Sequence, residues 1–177
     1  MSWSGHYHGY GPWIGTPESY HREGDRRPPL PDPPAAPAPG DKAAERVLQR
    51  YREVAADFPT SNLPPVMTGH WLMKHGRAAA ERVWTDPVTA VDWLTKLFLD
   101  TPPFEREDGR RAYAGLDVKR EYALDALPVG VDVSWVHYNR SGSIVSMSLV
   151  CCPNRHHPGL TCPQPLPSPQ MTAHDRQ

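Results

Sequence analysis

The chain has 177 residues, 22 prolines and a formal net charge of −1. A charge so close to balance argues against duplex DNA binding, which usually depends on a basic face that neutralises several phosphates. Three cysteines without a regular framework fit a reducing compartment. The sequence shows neither a secretory signal nor an apolar run of the roughly 18–20 residues that cross a bilayer. We therefore expect a cytoplasmic protein without a transmembrane segment.

Proline placement divides the chain into three parts. Seven of the twelve residues 28–39 are proline, and six more prolines follow the last predicted strand. Proline lacks the amide donor that helices and sheets need. We therefore predict a disordered aromatic and proline-rich arm over residues 1–40, a single domain over 41–151, and a proline-rich tail containing cysteine and histidine over 152–177.

Apolar side chains recur at helical spacing in the middle region. An acidic cap begins a predicted helix over residues 41–58. A second candidate covers 69–84, although a glycine weakens its middle. The third covers 87–99, where Pro87 occupies the first helical position. A fourth segment, 120–127, fits either a strand or a helix, and we favour the helix.

Two stretches near the end of the middle region alternate at period two, over residues 129–138 and 143–152. Gly142 stands between them where a hairpin loop needs a left-handed residue. We predict an α+β fold in which three to four helices precede an antiparallel β-hairpin. A lone hairpin is marginal in water, so helices, further strands or another molecule must cover one of its faces.

Five cysteine and histidine side chains lie within twelve residues at and after the end of the second alternating stretch. Thiolate and imidazole are the preferred ligands of tetrahedral zinc. Cys152, His157 and Cys162 match the last three ligands of a zinc knuckle, C-x2-C-x4-H-x4-C, but a leucine stands at the first position. Cys151 cannot replace it because neighbouring strand residues point to opposite faces, so His137 or a second chain would have to supply the fourth ligand. We favour the simpler interpretation, in which the adjacent cysteines are the packed end of a strand and the histidines belong to a tail, and we expect no cofactor.

Aromatic side chains set among glycine, serine and histidine mark the amino terminus. They could dock in a partner's groove or on this protein's own core, ordering as they bind, or belong to an unstructured arm. His6 and His8 could share a metal only in an extended conformation, and two ligands alone hold a metal weakly. The PxxP spacings of residues 28–34 favour a stiff spacer, since the usual flanking basic residue is out of register. The candidate partner-binding residues are Trp3, Tyr7, Tyr10 and Trp13.

These features predict a small, non-enzymatic interaction or accessory protein that binds a protein partner through its arm or its hairpin. An abundance of arginine over lysine is typical of a GC-rich coding sequence, as in actinobacteria, and we hypothesise a plasmid- or phage-borne factor. The alternative function is a zinc-binding nucleic-acid or regulatory module built on the cysteine and histidine cluster. A third hypothesis is an enzyme in which a histidine activates Cys151 or Cys162. No nucleophile-elbow, phosphate-loop or dinucleotide motif is present in the sequence.

Overall fold

The computed structural model of this chain describes residues 3–108 and 113–165. Within these ranges the predicted α+β class is confirmed, and the part of the predicted tail beyond residue 165 lies outside them. None of the helices found there combines the length and the apolar character that crossing a membrane requires. The α-helices are α1 (Pro17–His21), α2 (Lys42–Thr60), α3 (Pro87–Asp100) and α4 (Leu116–Ala126), and the strands are β1 (His6–Gly15), β2 (Val83–Trp84), β3 (Val133–Tyr138) and β4 (Ile144–Cys152).

The strands form one antiparallel sheet in the order β2-β1-β4-β3. β4 pairs with β3 along one side and with β1 along the other, and β1 runs alongside it from the His6↔Cys152 pair to the Gly15↔Ile144 pair. All nine residues of β4 are buried, because both of its edges and both of its faces are covered. The first and last strands of the described chain therefore lie side by side in the interior of the sheet.

The position of β1 corrects the prediction of a disordered arm over residues 1–40. Tyr7, Tyr10 and Trp13 are only 3%, 2% and 8% exposed, so these side chains belong to the protein's own core. Proline does not prevent the strand, because Pro12 lies at a bulge where the pairing with β4 shifts register and where an amide donor is dispensable. Tyr7 and Tyr10 are three residues apart in β1, so their side chains point to opposite faces of the sheet.

Arg26 fixes the chain that follows β1. Its guanidinium is buried, lies 3.7 Å from the centre of the Tyr20 ring, and donates hydrogen bonds to the carbonyl oxygens of Pro64, at 2.7 Å, and of Tyr20. From residue 28 to residue 39 the chain has neither helix nor strand, in keeping with its seven prolines. The amino-terminal region is thus packed against the body as far as Arg26.

The two faces of the sheet are covered by different elements. α3 and α4 pack on one face, whereas the 3-10 segment Thr68–Met73 and the chain after β4 cover the other. Because neighbouring residues of a strand point to opposite faces, Cys151 joins the helix-side cluster and Cys152 joins the second one. The helix-side cluster includes Tyr7, Val91, Leu94, Phe98, Trp135, Met147, Leu149 and Cys151, and the second consists of Tyr10, Trp71, Leu72, Val150 and Cys152 with Leu160 and Cys162 packed against it.

The predicted helix over residues 69–84 is wrong. The chain there forms three short 3-10 segments and the two-residue strand β2. The helical pattern rests on Leu72, Val83 and two alanines, and alanine gains little from burial. In the structure Leu72 is buried together with its neighbour Trp71, which the helical stripe does not include. The ambiguous segment 120–127 lies mostly in α4, as the helical interpretation predicted.

Lys74 joins this irregular segment to the end of α2. Its side chain is fully buried, and its Nζ donates to the carbonyl oxygens of Phe58, at 2.6 Å, and Ser61, at 3.1 Å. Burial lowers the pKa of Lys74 to about 8, so the amine is still mostly charged at neutral pH. The ammonium therefore satisfies carbonyl groups that the end of a helix leaves without a backbone donor.

Replacing Lys74 by methionine should lower the free energy of unfolding by about 2–3 kcal/mol, because two hydrogen bonds from a charged donor are lost in a buried place. The urea midpoint, measured by circular dichroism, checks this. Lys42→Met is the matched control, since Lys42 is exposed and pairs only with Glu45 at the start of the same helix. Equal midpoints for the two variants would contradict a capping role for Lys74.

Candidate metal centre

Four metal-ligating side chains meet at one end of the sheet. His6, His8, Cys152 and Cys162 each offer a ligand atom, and these four atoms all lie within 4.8 Å of one another. The Nε2 atoms of the two histidines are 3.0 Å apart. The Sγ atom of Cys162 lies 3.2 Å from Nε2 of His6 and 3.4 Å from Nε2 of His8. We call these four residues the Cys2His2 cluster.

Strand geometry positions three members of the Cys2His2 cluster. His6 and His8 are two residues apart in β1, so they point to the same face of the sheet. Cys152 is the cross-strand partner of His6 in β4, and directly paired residues share a face. The extended conformation that a shared metal would require of the two histidines is therefore supplied by the sheet.

The chain after β4 brings the fourth member into place. The side-chain oxygen of Asn154 accepts hydrogen bonds from the amides of His156 and His157, each at 3.1 Å. The Nδ2 atom of Asn154 donates to the half-buried carboxylate of Asp132 at 2.9 Å. These bonds turn the chain back over the sheet, where Leu160 packs against the second core cluster. Cys162 follows and faces the histidines of β1.

The spacing within the Cys2His2 cluster fits a tetrahedral zinc ion. With Zn–N of about 2.05 Å and Zn–S of about 2.3 Å, tetrahedral ligands lie about 3.3 Å apart for two nitrogens and about 3.6 Å apart for nitrogen and sulfur. The nitrogen–nitrogen distance of 3.0 Å and the nitrogen–sulfur distances of 3.2 and 3.4 Å differ from these values by a few tenths of an ångström. The donors of His6, His8 and Cys162 are therefore close to tetrahedral spacing, and the Cys152 sulfur lies within 4.8 Å of each of them.

Burial sets the protonation of the two most enclosed members. His8 is 1% exposed, and burial, with a smaller contribution from His6, lowers its pKa to about 4. Burial, and then the hydrogen bond with Cys162, raises the pKa of the Cys152 thiol to about 12. At neutral pH His8 is thus neutral, as a metal ligand must be, and Cys152 carries a proton that a metal would displace.

Core side chains enclose the Cys2His2 cluster on one side, and its other side is partly exposed to solvent. The ring of Tyr10 stacks on that of Trp71 with 4.8 Å between ring centres, and Leu72 and Val150 complete this apolar wall. His6 and Cys162, by contrast, are half-buried. An ion could therefore reach the cluster from the side of His6 and Cys162, while the opposite side excludes water.

One of the three predicted zinc-knuckle ligands, His157, lies outside the Cys2His2 cluster. Cys152 and Cys162 lie in the Cys2His2 cluster, but the ring of His157 lies against that of His70, with 4.4 Å between their centres. The turn at Asn154 directs His157 away from the two sulfurs and towards the 3-10 segment. His137 does not supply the fourth ligand, because it is buried beside Phe98 with its Nε2 2.6 Å from the carbonyl oxygen of Thr101.

The sequence contained a signal for the two missing ligands. The His-x-His spacing in β1 places both imidazoles on one face of any strand. The aromatic residues around it recur at spacings of three and four, so they do not themselves indicate a strand. What the sequence did not show is that β1 pairs with β4, which joins histidines at one end of the chain to cysteines at the other. In the sequence, the two histidines near one end and the two cysteines near the other are each an incomplete set of metal ligands.

The four predicted partner-binding residues are buried or half-buried in the structure. Tyr7, Tyr10 and Trp13 are buried, and Trp3 packs on Tyr7 and donates a hydrogen bond from Nε1 to the carbonyl oxygen of Pro153 at 3.2 Å. The alternative in which these aromatics dock on this protein's own core is what the structure has. They leave no aromatic arm with which to capture a partner.

Comparison of the chain with protein-family models, with curated proteins and with solved structures finds no match in any of the three. Function has to follow from the side chains themselves. Within the described part of the chain, the Cys2His2 cluster is the one place where three or more metal-ligating side chains converge.

The three thiols should react with iodoacetamide in the order of their exposure. In the metal-free, folded protein Cys162 should be alkylated first, at least about tenfold faster than Cys152, and Cys151 should react only when the protein unfolds. Peptide mass spectrometry over a time course gives the three rates. Equal rates for Cys152 and Cys162 would contradict the difference in their burial.

Proposed function

We propose that this chain is a zinc-binding protein in which His6, His8, Cys152 and Cys162 hold one structural Zn²⁺ ion. The observation that carries the proposal is the convergence of two thiols and two imidazoles, from three separate parts of the chain, within 4.8 Å.

The donor set favours zinc over other metals. Two thiolates and two imidazoles in a tetrahedral arrangement are typical of zinc, whereas magnesium and calcium prefer oxygen ligands. Four protein ligands also leave no position for water or substrate, which is the arrangement of structural rather than catalytic zinc sites. The supported role is therefore to hold the fold together.

The ion would join parts of the chain that no disulfide joins. It links β1, through His6 and His8, to the end of β4 and to the segment that carries Cys162. Since such a site does not exist in the unfolded chain, the free energy of metal binding adds to the stability of the fold. The amino-terminal strand and the chain after β4 would both be held in place by one ion.

The geometry does not favour the hypothesis of a cysteine enzyme. A catalytic cysteine needs a thiolate and a neighbouring base that is protonated near neutral pH. Burial raises the pKa of the Cys151 thiol, and burial lowers the pKa values of His6 and His8, the two imidazoles beside Cys162, so neither cysteine has such a partner. Metal binding uses the neutral imidazole that this site provides.

An interaction or accessory role stays a prediction, but its contact surface has to change. The arm residues are in the core, whereas Ser134, Val136 and Tyr138 on the outer face of β3 are exposed. This face favours the hairpin over the arm as the surface for a protein partner. The balanced charge of the chain continues to argue against a nucleic-acid ligand.

Protein purified under reducing conditions and supplied with zinc should retain about one zinc per chain after gel filtration, because structural zinc is tightly bound at pH 7. Elemental analysis measures it. His8→Asn and Cys152→Ser should each reduce the zinc content below about a tenth of an equivalent. Cys151→Ala and His157→Asn are the matched controls and should retain the ion.

Two results would contradict the proposal. The first is a parent protein that retains less than about a tenth of an equivalent of zinc. The second is loss of zinc from His157→Asn together with its retention by His8→Asn, which would restore the zinc-knuckle arrangement in place of the Cys2His2 cluster.

A further inference from the structure

The two cysteines of the Cys2His2 cluster differ in exposure and in freedom to move. Cys152 is 3% exposed and lies in the central strand β4, whereas Cys162 is half-buried and lies in a segment with neither helix nor strand. Nine residues separate them, and Pro158 and Gly159 are among these. The outer sulfur can therefore be reached from solvent and can approach the inner one.

We propose that Cys162 is an oxidation site and that Cys152 is the thiol that resolves it, so that a hydroperoxide converts the pair into a disulfide and releases the zinc ion. The proposal rests on the proposed function for the release of metal, but the disulfide itself requires only the two thiols.

The reaction is a two-electron oxidation by a hydroperoxide. The Cys162 sulfur attacks the outer peroxide oxygen, the O–O bond breaks, and the remaining alkoxide takes up a proton and leaves as an alcohol, or as water if the oxidant is hydrogen peroxide. Cys162 is then a sulfenic acid. The Cys152 sulfur displaces its hydroxyl group, which takes up a second proton and leaves as water as the S–S bond forms. In sum, two thiolates, one peroxide and two protons give one disulfide, one alcohol and one water.

The structure satisfies the distance requirement of the second step. The ligand atoms of the cluster lie within 4.8 Å of one another, and a disulfide needs the two sulfurs at about 2.05 Å. The difference of at most a few ångströms falls on the irregular segment around Cys162, because Cys152 is fixed by the strand pairs of β4. Cys151 cannot take part, since its side chain is fully buried on the opposite face of the sheet.

Loss of both thiolates would leave His6 and His8 as the remaining ligands. Two neutral imidazoles hold zinc far more weakly than the complete set, so the ion should leave. Oxidation would also change which segments of the chain are crosslinked. The metal joins β1 to the chain after β4, whereas the disulfide joins that chain only to β4. Oxidation should therefore free β1 from its link to the carboxyl-terminal segment.

The test uses the full chain loaded with zinc and treated with hydrogen peroxide in the presence of a chromogenic zinc chelator. We expect about one zinc released per chain, with a loss of two hydrogen atoms in the intact mass and a Cys152–Cys162 crosslink in the peptide map. Dithiothreitol with added zinc should reverse all three changes. Cys151→Ala should behave as the parent does, and Cys152→Ser should accumulate a sulfenic acid at Cys162 that dimedone traps.

The outcomes separate this proposal from the zinc site itself. Zinc retained with reduced thiols after excess peroxide would overturn the oxidation site and leave the structural zinc intact. Release of zinc with Cys162 as a sulfinic acid and no crosslink would overturn the resolving role of Cys152. If the parent takes up no zinc, the proposed function fails. The peptide map of the metal-free chain after peroxide treatment then tests the oxidation site alone, and absence of a Cys152–Cys162 crosslink overturns it.

Discussion

The antiparallel pairing of β1 with β4 is the constraint on which the candidate site depends. The register His6↔Cys152 places both histidines of β1 on the face that carries Cys152 and places Tyr7 on the face of Cys151. A shift of one residue would exchange the faces, because side chains alternate along a strand. It would bury the two imidazoles among the helices and remove the Cys2His2 cluster.

The burial of β4 on both faces explains why the cluster is completed. The helix-side face is covered by α3 and α4, and the second face is covered by chain that is not in a long helix. The 3-10 segment Thr68–Met73 and the residues after β4 supply that cover, and Leu160 packs there two residues before Cys162. The fourth metal-ligating side chain is thus delivered by the same packing that protects the sheet from water.

Local chemistry in the sequence predicted part of this fold. The acidic N-caps before α2 and α3, and Pro87 at the start of α3, act within a few residues, so the starts of both helices could be foreseen. The alternation around Trp135 likewise reflects the alternating burial of side chains along β3, whereas every residue of β4 is buried. The α+β class followed from these elements.

The amino-terminal strand and the complete site could not be predicted in the same way. The proline content of residues 28–39 carries no information about residues 6–15, and the aromatic residues there recur at spacings of three and four, which does not indicate a strand. Pairing between β1 and β4 is a contact between distant parts of the chain, and no local pattern specifies it. Spacing along the chain indicates His157 as a ligand beside Cys152 and Cys162, but it carries no information about His8, which only the fold brings near the two cysteines.

Cross-strand nuclear Overhauser effects between β1 and β4 test the central claim most directly. The pairing predicts contacts between the backbones of His6 and Cys152 and of His8 and Val150, with slow amide exchange along β1 where its amides bond to β4. Random-coil chemical shifts and fast exchange throughout residues 6–15 would contradict it, because the histidines would then have no fixed position beside the two cysteines.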